Sequence, residues 1–438
     1  MSSKFKTHSF ATERLRLANR MASILACTLI PVLAHAQATG LTLNQALQIA
    51  TTASASNKAA QASVVASTEA SAKADQLPDP TLKVGLDNLP VTGRDKFSTT
   101  ADFMTMRRIG IEQQWVSSDK RNARLEQSKR AVEAEEGTYL ENVAKVREEA
   151  GKAWIAVLFT QRAAALYRLI EKEMGEDLGA AQAAHRGAKA AASDVLQAQL
   201  ELAQGKDDTR KVEQELKSAR IGLSRWLRIP VQLVADASPP MTKHVADVAV
   251  ADLEKYHPMV LNARRAVTLA DADTTVAAKE RNPDWSFEAG FAQRGSQYSN
   301  MISFGISIPL AVNRAQRQDR DVAEKSAMGT KARLRYEDAV LEQQAQIQML
   351  SADLDSLKER IAQLKSDLLP PASEQVALAV AAYRSNGGTL TAVFKAKRTL
   401  LEKQLQINEL EKAAATTWAK LELHVIPHDM PNAAGSEQ

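Results

Sequence analysis

The chain has 438 residues, of which 45% are hydrophobic and only 5% aromatic, enough for more than one packed core. Lys and Arg total 56 against 52 Asp and Glu, with no basic patch interleaved with aromatics, which excludes a nucleic-acid-binding surface. The single cysteine, Cys27, excludes an intramolecular disulfide and a thiolate metal cage.

The N-terminus opens with Lys4, Lys6, Arg14, Arg16 and Arg20, continues as an apolar run from Met21 to Leu33, and reaches Ala34-His35-Ala36. That order is a secretory signal peptide over residues 1–36. Removing it takes five of the 56 basic residues and one of the 52 acidic ones, so 51 of each remain. Cys27 falls inside this leader; cleavage at Ala36 discards it, and the alternative use of a cysteine at that place is lipidation. No run of apolar residues is long enough for a transmembrane helix, but transmembrane strands leave a much weaker hydropathy signal.

After a short helical segment the first strands are expected. Leu82, Val84 and Leu86 alternate with Lys83, Gly85 and Asp87, and a longer strand is expected over Phe103–Trp115. A helix follows from about Asp119 to His185, rich in Ala, Glu, Lys, Gln, Arg and Leu. At 1.5 Å per residue, helices of this kind reach about 100 Å. A turn at Gly187 leads to a returning helix, about Ala191 to Leu227.

The same order recurs. Trp285–Ala292 carries Trp, Phe, Ala and Phe on one face and Ser, Glu, Gly and Ala on the other. Ile302–Ile308 has one wholly bulky apolar face and one of Ser, Gly and Ser. A second long helix is expected from Asn313 to Tyr383, a turn at Ser385-Asn386-Gly387-Gly388, and a returning helix from Leu390 to Leu423. Within it Leu350, Leu354, Leu357, Ile361, Leu364 and Leu368 form a heptad seam, and Pro370-Pro371 predicts a kink.

The chain is therefore a tandem repeat. Ile109-Gly110-Ile111 returns as Phe304-Gly305-Ile306, Pro78-Asp79 as Pro283-Asp284, and Val195-Leu196 with Ala198 as Val393-Phe394 with Ala396. The expected division is 1–36 signal peptide, 37–229 first repeat, 230–251 Pro-containing linker, 252–426 second repeat, and a polar disordered tail over 427–438.

Strands of this alternation fit a bilayer-spanning barrel wall, although an ordinary half-buried hairpin shows the same pattern. Four strands cannot close a membrane barrel, and open edges are not tolerated in lipid. Lipid-facing strands thus require several protomers, and a trimer supplies twelve.

With Leu77-Pro78-Asp79-Pro80 before the first strand, Asp119-Lys120-Arg121 with Arg124 after the second, Tyr383 with Gly387 at the second tip, and the Val-Leu/Phe-x-Ala steps beyond each tip, the chain resembles the TolC family of outer-membrane efflux channels. The Leu-Pro-Asp-Pro segment, Asp87-Asn88-Leu89-Pro90 and Phe103-Met104-Thr105-Met106-Arg107-Arg108 resemble most its heavy-metal, CzcC-like branch. The resemblance implies a mainly α fold with a membrane β part: long helical hairpins forming a periplasmic α-barrel, and four strands per protomer in a trimeric twelve-stranded β-barrel. It also implies a homotrimer in outer-membrane lipid, a periplasmic adaptor, and an inner-membrane RND pump that supplies the energy. The implied function is the exit duct of a tripartite pump for heavy-metal cations. A duct for organic drugs or type I protein secretion shares the fold, and a periplasmic coiled-coil structural protein is the alternative of another class.

Candidate residues follow. Gly187, Gly387 and Gly388 mark the tips where the resemblance places adaptor contacts, and a turn glycine is expected there for positive φ. Asp194 matches the family's acidic entrance position, whereas the second half has Ala392 and Lys395, which suggests either Asp194–Lys395 salt bridges closing the entrance or a solvated pair on the helix faces. Met104 and Met106 on one strand face are weak candidates for soft-metal contact. Arg107 falls on the otherwise apolar face. His424 and His428 have metal-like spacing, but Pro427 sits between them and both belong to the tail, so no site is expected there, while His185 and His257 read as capping or surface residues. No phosphate loop, HExxH, GxSxG or DxDxDG motif occurs, so no enzyme activity and no cofactor are expected.

Overall fold

A computed structural model describes residues 40–385 and 387–426; the leader with Cys27 and the tail with His428 lie outside the described residues. The first helices are α1 (Leu43–Ala53) and α2 (Ala55–Ala72), followed by strands β1 (Thr81–Asp87) and β2 (Met106–Trp115). Helices α3 (Ser118–Arg186) and α4 (Ala192–Leu227) complete the first round. The second round is α5 (Leu253–Tyr256), α6 (Pro258–Glu280), β3 (Trp285–Gln293), β4 (Met301–Ser307), α7 (Gln318–Asp367), α8 (Leu369–Arg384) and α9 (Leu390–Glu422). Among the described residues no helix is long and apolar enough to cross a membrane.

Local chemistry sets the helix ends. Thr42 and Gln45 form a capping box at α1, and Ser54 both ends α1 and caps α2 by accepting from the Asn57 amide. Ser117 caps α3, with Asp119 in its first turn and His185 and Arg186 in its last, each charge matching the helix dipole. The second long helix starts later than expected, at Gln318 after a 3-10 turn over Arg314–Gln316, and the kink expected at Pro370-Pro371 is a division at Leu368, just before them. Pro370 and Pro371 sit in the first turn of α8, where missing N–H groups cost least.

The four strands form one antiparallel sheet in chain order, so β2 pairing with β3 joins the two rounds. The sheet is tied to the helices by the Asp119-Lys120-Arg121 segment. Buried Lys120 donates to Asp284 at 2.7 Å, Arg121 donates to the Asp75 carbonyl at 3.1 Å, and Arg124 pairs with Glu280 at 3.1 Å. Strand β2 starts at Met106 rather than Phe103. Thr105 donates to the Asn88 carbonyl at 3.0 Å and Asn88 to the Met104 carbonyl at 3.3 Å, side-chain bonds that replace the ladder there.

The main core lies midway along α3. Trp154, Ile155, Leu158 and Phe159 meet Leu223 and Leu227 of α4, Leu354 of α7, and Ala415 and Trp418 of α9. Burying each large side chain contributes about 1.5–3 kcal/mol. The heptad seam of α7 faces this core: Leu354 is 0% exposed, with Leu350, Leu357 and Ile361 packed beside it. Trp154 Nε1 donates to the Leu41 carbonyl at 2.8 Å, and Leu41 bridges Val234. Gly40 is needed for that approach, since a Cβ there would lie 2.5 Å from the Val234 backbone.

Candidate channel lining and periplasmic entrance

Strand register sorts the sheet into two chemically opposite faces. One row across all four strands is Val84, Ile109, Phe291 and Ile302; the next is Leu82, Ile111, Ala289 and Phe304. These side chains are not covered: Phe304 is 82% and Val84 75% exposed. Trp115 pairs with Trp285 at the end of the sheet nearest the helices. Arg107, the exception on this face, stands at the opposite end, where its guanidinium donates to the Arg294 carbonyl at 3.1 Å.

The other face is polar and carries a connected set of charges. Lys83 lies between Glu112 and Glu288, 2.7 Å from the latter, and Arg108 is 3.3 Å from Asp87 and 3.7 Å from Glu288. Three carboxylates thus face two cations. Gly110, Gly290 and Ser303 continue the row from Lys83 without adding bulk. At the loop end, Arg294 donates to the Ser299 and Phe103 carbonyls, and a Cβ on Gly295 would overlap the Thr100 carbonyl, so the two loops pack closely.

At the helical tips the geometry corrects the expected role of glycine. Gly187 ends α3 with φ −85°, and the left-handed residue is Ala188, at φ 54°. Neither Gly387 nor Gly388 takes positive φ; Gly388 sits close against α8, where a Cβ would lie 3.1 Å from the Ala382 side chain. His185 Nδ1 closes the first tip on the Ala190 carbonyl at 3.0 Å. Asp194 is exposed and accepts from the Ala191 amide at 3.0 Å, capping α4. Lys395 is exposed too, but no Asp194–Lys395 ion pair forms within the described protomer, because the cap turns the Asp194 carboxylate back on its own helix end. The bonds between hairpins lie deeper: Arg398 to Glu201 at 2.5 Å and Lys397 to Glu173 at 3.0 Å. Asp177 of α3 is buried beside them. Sequence reasoning missed these residues because it looked only at the turns; Lys397 and Arg398 at the start of a returning helix were the available signal.

Met104 precedes β2 and Met106 opens it, so the two methionines do not share a strand. Among the described residues no three His, Cys, Asp or Glu side chains form a group able to hold a metal ion. His257 stands at the N-cap of α6, as expected, but its side chain makes no capping bond and is buried rather than at the surface, with α3, α7 and the segment after α9 around it. Its ring lies within 25° of parallel to that of His424, with centroids 5.5 Å apart. Burial, with His424 adding to it, pushes the His257 imidazole down to about 4.

No family model and no curated protein matches the chain. Solved structures do. The outer-membrane channel OprN superposes with a TM-score of 0.71 at 18% identity, over 87% of this chain and 89% of that one. CusC, solved in a study of transmembrane channel formation, gives 0.71 at 14% identity over 86% and 90%. The outer membrane protein VceC of Vibrio cholerae gives 0.68 at 14% identity over 86% and 94%. The chain therefore has the fold of these outer-membrane channel structures, with long helices and a four-stranded antiparallel sheet. These neighbours do not single out a heavy-metal branch.

Proposed function

We propose that the protein is the outer-membrane exit duct of a tripartite efflux pump. Three copies join their sheets edge to edge into a twelve-stranded barrel, and the helices continue the tube into the periplasm. The observation that carries this reading is the sheet itself. It has an uncovered apolar face, a charged opposite face, and two unpaired edges, β1 and β4. An edge left open in lipid is too costly, so closure with further copies satisfies both the face and the edges.

The repeats at 37–229 and 252–426, joined by 230–251, give each protomer two strands and one helical hairpin twice over. The tips at Gly187, Gly387 and Gly388 supply the adaptor contact, and Asp194 with Lys395 lies at the channel entrance. An RND pump in the inner membrane supplies the energy. Heavy-metal cations as cargo are supported by the Leu77-Pro78-Asp79-Pro80 and Phe103–Arg108 segments and by the one-carboxylate excess of the Lys83, Asp87, Arg108, Glu112 and Glu288 set, which favours cations in a narrow polar lumen.

The test is reconstitution. The protein, extracted from outer membranes, is weighed by native mass spectrometry and placed in a planar bilayer. The expected result is a trimer with discrete conductance steps; a soluble monomer without conductance overturns the reading.

A further inference from the structure

The uncovered apolar face of the sheet is bounded differently at its two ends. Towards the helices it finishes on the Trp115–Trp285 pair. At the loop end, Val84, Ile109, Phe291 and Ile302 make the last wholly apolar row, and the next is Leu86, Arg107 and Gln293. Arg107 and Trp115 open and close β2, eight residues apart, which is about 26 Å at 3.3 Å per residue. At the tilt of about 40° that barrel strands adopt, this spans about 20 Å of height, close to the apolar band of such barrels, about 25 Å tall. Arg107 therefore stands at the edge of the band, at headgroup level, and not within it.

Arg107 is exposed, and its bond to the Arg294 carbonyl uses one of five N–H donors. The cations of the opposite face are paired: Lys83 with Glu112 and Glu288, and Arg108 with Asp87. Among the described residues Arg107 has no carboxylate partner, nor have Arg294, Arg94 and Lys96 at the same end of the sheet. The acids of these loops are Asp95 and Asp102, and Asp102 is turned onto the Met104 amide at 2.7 Å. The loop end thus carries cations in excess, beside Phe103, which is 55% exposed and whose carbonyl Arg294 bonds at 3.3 Å.

We propose that Arg107 binds the phosphate of a lipid headgroup in the leaflet at the loop end of the sheet, with the Gln293 amide beside it. The proposal rests on the channel reading, which puts the apolar rows in lipid. A guanidinium fork matches two phosphate oxygens and is more weakly hydrated than an ammonium, and its aliphatic stem tolerates the apolar row while the charged head reaches the interface. The headgroup phosphate supplies the counter-charge that the protomer itself does not, and three copies repeat the contact around the barrel.

The test titrates the full chain, extracted in a neutral detergent, with phosphatidylglycerol and separately with digalactosyldiacylglycerol of the same acyl chains. Native mass spectrometry reads the oligomer and the lipid bound. The wild type is expected to be a trimer that holds the phosphate lipid about tenfold more tightly than the uncharged one. Arg107→Gln is expected to lose that preference, and Lys331→Gln, which removes an exposed cation from α7, to keep it. Arg107→Met extends the apolar row and is expected to lose the preference too, so it keeps the test open if Arg107→Gln does not assemble. A trimer with the same preference in wild type and in either Arg107 variant overturns the headgroup contact and leaves the channel reading standing. A monomer that binds neither lipid overturns the channel reading and this contact with it.

Discussion

Asp177 shows how one side chain near the tips sets a local cost. It is 8% exposed on α3, and its Oδ1 is buried without a partner. Burial pushes its carboxyl above the ordinary 3.8; the Thr391 hydroxyl and Arg398 pull the other way, and Glu201 adds to the rise. The folded protein therefore holds this proton more tightly than the unfolded chain does. Stability from this group falls as pH rises through the folded value, and at neutral pH the full cost is present. Asp177→Asn is expected to raise stability at pH 7 by about 1–2 kcal/mol. The advantage should shrink as pH falls toward 3.8. Calorimetric melting across that range checks it; a difference independent of pH would show that the charge is not the cause. Neither the burial of Asp177 nor that of His257 was legible locally, because both depend on helices distant in sequence closing over them.

The sheet carries the membrane argument at the scale of the element. Neighbouring residues on β4 point to opposite faces, so Ser303 and Phe304 predict opposite outcomes. Phe304→Arg places a charge on the uncovered apolar row, and in the proposed barrel, where that row faces lipid, it is expected to cost about 2–4 kcal/mol near mid-membrane. Recovery in the outer membrane should fall while Ser303→Arg, on the polar face, still assembles. Equal recovery of the two variants in fractionated membranes would argue that the apolar face is not in lipid. The period-two pattern of these strands, the heptad seam of α7 and the break at Pro370 were all readable from local sequence, because each follows from backbone geometry alone. The late start of β2 was not, since it depends on Asn88 and Thr105 meeting across a loop.

In the proposed duct, opening is a property of the whole molecule, because hairpins must move relative to one another. Near the tips, Arg398–Glu201 and Lys397–Glu173 span the hairpins, while Lys395 makes no ion pair within the described protomer. Arg398→Ala is expected to raise resting single-channel conductance several-fold, and Lys395→Ala to change it less. The reverse order in bilayer recordings would return the entrance to Lys395 and its neighbours in the assembled channel. The partly exposed settings of these pairs keep each individual contribution modest, so the effect on opening should exceed the effect on melting.

Local sequence determined the long helices, the strands with two unlike faces, the repeated order of elements and hence the count that calls for more copies. Those features follow from side-chain period and turn chemistry, which a single segment contains in full. Tertiary structure alone decided which side chains meet: Lys120 with Asp284, Arg398 with Glu201, and the rings of His257 and His424. The partners in these pairs lie more than a hundred residues apart, and which of many similar charges becomes buried is set by how the helices and the sheet pack, which no local pattern records.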